Sequence, residues 1–209
     1  MLVNIHTHND CSVDNLQIKN LSLSEAETVL TTVKSGFFSV GIHPRDIENH
    51  DSTGLDLLNI HAANNMVVAI GECGLDKNIK TSFDKQLDFF EKQIIISETF
   101  KKFLVIHCVG YFNELMDLQK RVRPSQKWII HGFRGKPQLA TQLLKNGIFL
   151  SFGEKFNPES VKIIPFDNLY IETDESEIPL EELYNRIASI KGCNIPDLCA
   201  GFNLLKKYF

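Results

Sequence analysis

The chain has 209 residues, 43% hydrophobic and 23% charged, the length and balance of one globular domain over residues 1–209. Acids outnumber bases by 26 to 22, giving a net charge of −4. That excludes strong overall attraction to a polyanion but not local phosphate chemistry, because a bound cation inverts the sign of a site.

The elements follow in chain order. A strand is expected at Leu2–Ile5. Ser22 and Glu25 form a capping box ahead of a helix over Ala26–Lys34, with Gly36 as its stop. Phe37–Val40 reads as a strand, followed by a helix over residues 51–63 that Gly54 weakens. His50 lies in the loop before it and His61 inside it, and both read as surface residues. After a strand at Met66–Ile70, Thr81 and Asp84 open a helix. In it Phe83, Leu87, Phe90, Ile94 and Ile95 recur at helical spacing up to Phe100. A strand at Phe103–Ile106, a helix over Tyr111–Lys120 and a strand at Trp128–Ile130 come next. Pro137 starts a helix that buries Leu139, Leu143 and Leu144 and ends at Gly147. Strands at Ile148–Leu150 and Leu169–Ile171 precede a helix over Leu180–Lys191, closed by Gly192, and a short final helix.

Most of the strands are unbroken apolar runs, the pattern of parallel strands covered on both faces. Seven strand–helix units in a row favour a (β/α) barrel or a large open parallel sheet. An eighth strand is not evident. No apolar stretch approaches the about 18 residues of a membrane span, and no secretory signal is visible. Five Cys without a CxxC pair read as free thiols in a reducing, cytoplasmic setting. Cys73 and Cys108 alternate with polar neighbours and read as small buried hydrophobes.

Five of the seven His fall at strand ends. His6 and His8 close the first strand, and residues two apart on a strand point the same way. His43 closes the second, Glu72 the third, His107 the fourth and His131 the fifth; Glu172-Thr173-Asp174 closes the last. In a parallel barrel these carboxyl ends share one rim, where such folds place their sites. Imidazole and carboxylate together suit zinc or manganese, and magnesium with more oxygen. Six ligands (His6, His8, Glu72, His107, His131 and Asp174) are too many for one tetrahedral ion and fit two, with Glu72 as the shared carboxylate. Asp174 is also placed to orient or deprotonate an attacking water, and His43 to hydrogen-bond a phosphate oxygen. Arg45, Lys77, Arg134 and Lys155 are the cations near the rim, with Arg134 the best phosphate candidate.

Asn4-Ile5-His6-Thr7-His8, Gly41-Ile42-His43-Pro44, Gly71-Glu72-Cys73-Gly74-Leu75-Asp76, Ile106-His107-Cys108, His131-Gly132-Phe133-Arg134-Gly135 and Ile171-Glu172-Thr173-Asp174 resemble the TatD family of metal-dependent hydrolases, in order, over nearly the whole chain. The resemblance implies an α/β fold, a distorted TIM-like barrel of seven to eight parallel strands. It implies two divalent ions, zinc, manganese or magnesium. His6, His8 and Asp174 would hold the first, His107 and His131 the second, with Glu72 between them and His43 on the substrate side. It also implies nuclease activity on single-stranded DNA, short DNA ends or another phosphodiester, with no membrane and no obligate protein partner. The sequence departs from the family pattern in four places. Asn4 replaces the usual Asp, Val109-Gly110 replaces Arg and an acid, Gly132 stands where Cys is common, and a short acidic segment follows Asp174. Hydrolysis of a small-molecule amide, ester or lactone, and a metal-binding barrel without catalysis, are the competing readings.

Overall fold

The computed structural model describes residues 1–10 and 15–209; Cys11 lies outside the described residues. Along the chain come β1 (Val3–Thr7), β2 (Leu16–Leu21), α1 (Leu23–Thr32), β3 (Phe37–Val40), α2 (Ser52–Ala62), β4 (Val67–Asp76), α3 (Phe83–Phe100), β5 (Phe103–Val109) and α4 (Phe112–Val122). There follow β6 (Trp128–Ile130), α5 (Pro137–Lys145), β7 (Ile148–Phe152), α6 (Pro158–Ile163), β8 (Leu169–Ile171), α7 (Leu180–Lys191), α8 (Ile195–Leu198) and α9 (Ala200–Asn203). The strands form one sheet in sequence order, β1 to β8. Thr7 of β1 makes a parallel bridge to Asp174, just past β8. This is the connectivity of a nearly closed, distorted TIM-like barrel of eight parallel strands, as the sequence led us to expect.

Two compact units make up the chain: residues 1–19, 129–207 and 209, and residues 20–128 with 208. In the second unit, β4 is buried along its whole length and pairs in parallel with β3 and β5. Phe90 of α3 lies against Trp128, their rings 5.8 Å apart. Each such fully buried side chain contributes about 1.5–3 kcal/mol. In the first unit, β7 pairs with β8, and Phe152 meets Phe133 edge to face. The buried Tyr184 of α7 donates its hydroxyl to the Val3 carbonyl at 2.7 Å and accepts the Val3 N–H, tying α7 to β1.

Several expectations need correction. The eighth strand, not evident in the sequence, is present as β2, early in the chain. Its sequence, Leu16-Gln17-Ile18-Lys19-Asn20-Leu21, buries only Ile18 and Leu21, so no apolar run announced it. β4 and β5 continue to Asp76 and Val109, past their expected ends. α1 keeps the capping box of Ser22 and Glu25 but begins at Leu23 and stops at Val33, whose backbone is extended. The cap of α3 is Ser82, which accepts the Lys85 N–H; Thr81 is buried, and its carbonyl accepts from Gln86.

The buried stripe of α3 runs through Gln86, Phe90, Gln93, Ile94 and Ser97. Ile95 falls opposite and is 65% exposed. The two glutamines take core positions because each serves backbone: Gln86 bonds Asp76 of β4 on both its N–H and C=O, and Gln93 does the same for Ile42. On α5, Leu143 is buried, while Leu139 and Leu144 are half-buried. His61 is buried rather than on the surface. Cys73 and Cys108 are buried thiols, as expected. Among the described residues no helix is long and apolar enough to cross a membrane.

Candidate metal centre

The first unit gathers His6, His8, His131, Glu172 and Asp174. Asp174 leaves β8 in a left-handed conformation (φ 54). Its N–H donates to the His6 carbonyl at 3.1 Å, and its carbonyl accepts the His8 N–H at 3.0 Å. That clasp sets the carboxylate beside both imidazoles: His6 Nε2 and His8 Nε2 each stand 3.6 Å from Asp174 Oδ1. The spacing is too long for a hydrogen bond. It is close to the about 3.4 Å that separates two tetrahedral ligands on bonds of about 2.1 Å. The His131 ring centroid lies 4.6 Å from that of His6.

His131 Nδ1 is 3.4 Å from Glu172 Oε1, which accepts the Gly132 N–H at 2.5 Å. Glu172 is fully buried, and its Oε2 has no hydrogen-bond partner among the described residues. A buried carboxylate left this way is costly unless a cation completes it. Donor atoms of His6, His8 and Asp174, and of His131, Glu172 and Asp174, lie close enough to share an ion. The donor set thus fits a divalent metal.

A cavity of about 270 Å³ adjoins this cluster, lined by Arg134, Lys155, Glu172 and Asp174 among others. Gly132 lines it too: the backbone there is left-handed (φ 57), which favours glycine, and an added Cβ would make ordinary contact with Glu172 Oε1 at 3.6 Å. Asn4 serves the seam between β1 and β8. Its Oδ1 accepts the Thr173 N–H at 3.1 Å, and its Nδ2 donates to Thr173 Oγ1 at 2.8 Å. Thr173 Oγ1 in turn donates to Thr7 Oγ1. An Asp at position 4 would lack the second of these bonds, so the departure from the family pattern has a structural use.

The second unit gathers His43, Glu72, Asp76 and His107. The β4–β5 register shifts between Ile70 and Cys73, an irregularity that re-aims the intervening Glu72. Gly74 has φ 137, and a Cβ there would sit 2.1 Å from the His107 carbonyl oxygen. Only glycine lets β4 pass this close to the residue that β5 presents. His107 Nδ1 is 2.9 Å from Glu72 Oε1, and its Nε2 is 3.0 Å from Asp76 Oδ2. His43 Nε2 is 3.3 Å from the same Glu72 oxygen. His43, Glu72 and His107 form a further set able to hold an ion.

The two imidazoles of that set are not equivalent. His43 Nδ1 accepts the Arg45 N–H at 3.0 Å. A neutral ring with Nδ1 as acceptor carries its proton on Nε2, so His43 presents a donor toward Glu72. Burial works to raise the Asp76 carboxyl, but the Asn78 N–H, the His107 ring and the Arg45 charge outweigh it and hold the group below the usual carboxylate range. Burial pushes the neighbouring Cys108 thiol up to about 12 and the Cys73 thiol higher still. Neither is a nucleophile near neutral pH.

Within the first unit the structure brings together His6, His8, His131 and Asp174, and within the second His43, Glu72 and His107. Arg134 and Lys155 line the cavity, whereas Arg45, in a 3-10 helix over Pro44–Asn49, and Lys77, in a turn, are exposed cations outside its lining. Sequence reasoning passed over two acids. Asp76 closes the Gly-Glu-Cys-Gly-Leu-Asp string and would have been found by extending the strand-end rule to the true end of β4. Glu172 stands two residues before Asp174, the same spacing that sends His6 and His8 one way, and applying that two-residue rule to the last strand would have found it.

The chain is 32% identical over 163 residues to a Buchnera aphidicola protein named as an uncharacterized metal-dependent hydrolase, covering 72% of this chain and 61% of that one. It is 28% identical over 204 residues to the 3'-5' ssDNA/RNA exonuclease TatD of Cronobacter turicensis, covering 89% and 76%. The chain spans only about three-fifths of the length of the first-ranked of these relatives, 58% to 61%. Its fold matches the crystal structure of YJJV, a TatD homologue from Escherichia coli, with a TM-score of 0.84 at 16% identity, over 99% of this chain and 96% of that one. Residues 4–191 match the family described as TatD related DNase, and with that match spanning most of its length the chain belongs to the TatD family of metal-dependent hydrolases.

Proposed function

We propose that residues 1–209 serve as one hydrolase domain that cleaves phosphodiester bonds at single-stranded or short DNA ends, or in a related phosphodiester, with two divalent cations per chain. Zinc, manganese and magnesium are the candidates. His6, His8 and Asp174 hold one cation; Glu72 and His107 hold the other; His131 adds a donor beside Glu172. Cations held by these residues would lower the pKa of a nearby water and offset charge on the phosphate oxygens. The remaining work falls to the chain. Asp174 orients the attacking water and accepts its proton. His43, with its proton held on Nε2, donates to a phosphate oxygen. Arg134 and Lys155 meet the phosphate at the cavity. So few cations suit a strand end better than a long duplex. A reducing cytoplasm suits the unpaired thiols of Cys73, Cys108, Cys193 and Cys199.

The observation that carries this reading is the equal 3.6 Å approach of His6 Nε2 and His8 Nε2 to one carboxylate oxygen of Asp174. The names of relatives such as the Cronobacter exonuclease support the substrate class. The test begins with elemental analysis of protein purified without added metal, then a panel of single-stranded DNA, a generic phosphodiester, and simple amides and lactones. We expect about two ions per chain, turnover of the phosphodiesters only, and loss of that turnover in a folded His107→Ala variant. A metal-free protein inert on every phosphodiester after manganese or zinc is added would refute the proposal.

A further inference from the structure

Asp76 is held through its backbone N–H, its carbonyl and one carboxylate oxygen. It is buried at the end of β4. Its N–H donates to Gln86 Oε1 at 2.8 Å, and its carbonyl accepts from Gln86 Nε2 at 3.0 Å. Gln86 is itself buried and also donates to the Thr81 carbonyl. The side-chain Oδ1 of Asp76 accepts the Asn78 N–H at 2.8 Å. With backbone and one oxygen fixed, the other oxygen, Oδ2, can point only one way, and it lies 3.0 Å from His107 Nε2. The opposite edge of the ring faces different company: Nδ1 is 2.9 Å from Glu72 Oε1, beside His43. The two edges of one imidazole are thus divided between an acid locked to the backbone and the cluster able to hold an ion.

We propose that Asp76 is a positioning residue: its Oδ2 accepts the proton on His107 Nε2 and thereby makes Nδ1 the cation-ligating atom. An ionised carboxylate only accepts; without a cation the ring lies between two such acceptors, but once a cation takes the Nδ1 edge beside Glu72, Asp76 holds the remaining proton on Nε2 and leaves the Nδ1 lone pair to the metal. A histidine that binds metal through one nitrogen commonly gives its other N–H to a carboxylate, which fixes both tautomer and ring plane. The assignment rests on the proposed function, in which His107 and Glu72 hold a cation. It adds which atom of His107 does so and what enforces that choice.

Asp76→Asn is a sharp test because it preserves shape. Asn78 keeps its N–H on Oδ1, so the new amide NH2 is turned against His107 Nε2. Two donors cannot face each other, and the ring proton must move to Nδ1, where Glu72 accepts it. The measurement is a long-range proton–nitrogen NMR spectrum of the full chain with nitrogen-15 histidine, recorded through a Zn2+ titration. Zinc-loaded wild type should carry the His107 proton on Nε2 and the metal on Nδ1. Asp76→Asn should lose that signature and bind Zn2+ about 10–100-fold more weakly, with unchanged circular dichroism. An Asp76→Asn protein that keeps the Nε2 proton and wild-type Zn2+ affinity, or a wild type that binds Zn2+ through Nε2, would overturn the assignment while leaving the metal reading intact. If Zn2+ binds neither wild type nor variant, the metal reading fails and the assignment fails with it.

Discussion

The two donor clusters reach their geometry by opposite means. In the first unit the acid is placed through its backbone: both peptide groups of Asp174 are clasped to β1, and its carboxylate stands off the imidazoles at 3.6 Å. In the second unit placement comes through side chains, with His107 gripped on both ring nitrogens at 2.9 and 3.0 Å. The first arrangement leaves the ligand-to-ligand spacing of an ion already in place. The second must exchange a hydrogen bond to Glu72 for a metal bond. A carboxylate held by its backbone is sensitive to the strand seam, whereas a ring held by carboxylates is sensitive to the chemistry of those groups.

The contrast can be broken at several points. The largest effect is expected for Asp174→Asn. It keeps a residue tolerant of the left-handed backbone but weakens the ligand and removes the base, so hydrolysis should fall by about 10³-fold or more. Metal content should drop by one ion while thermal stability is nearly unchanged; elemental analysis beside the melting curve checks both. Next is Gly74→Ala. With a Cβ 2.1 Å from the His107 carbonyl oxygen, β4 and β5 must separate, costing about 3 kcal/mol in urea unfolding. Asn4→Asp loses only the donation from Nδ2 to Thr173, and about 1 kcal/mol is expected from the same measurement.

The smallest effect is a pH dependence outside both clusters. Burial lowers the pKa of His61, against the opposing influence of the Glu27 charge and a backbone bond with Leu23. A folded-state value below the unfolded value of about 6.5 means that the unfolded chain binds the proton first. The stability contributed by neutral His61 is therefore full above that pH and lost as the pH falls toward the folded value. A His61→Leu variant should show a flatter stability profile across that window in denaturant titrations.

Much of this was legible beforehand because strand ends and metal donors are written locally. His6 and His8 needed only the two-residue repeat, and Pro137 and Gly192 marked helix ends directly. What escaped reading depended on partners distant in sequence. β2 is a strand because its neighbours pair with it, not because Gln17, Lys19 and Asn20 favour burial. Gln86 and Gln93 look like surface residues until the backbone groups of Asp76 and Ile42 arrive to bond them. Glu172 lay within reach of the two-residue repeat, but its bond to the Gly132 N–H, forty residues away, did not.

That torsion at position 174 has a consequence for how the site tolerates change. Left-handed backbone admits glycine, asparagine and aspartate readily and penalises branched or bulky residues. The main chain thus favours a short list before any reactivity is asked for, although Lys101 and Arg123 hold the same conformation at helix ends. Glycine brings no donor and asparagine no charge, so metal chemistry makes a choice among survivors, and drift at this codon should lead first to Asn, a quiet loss of function in an intact scaffold.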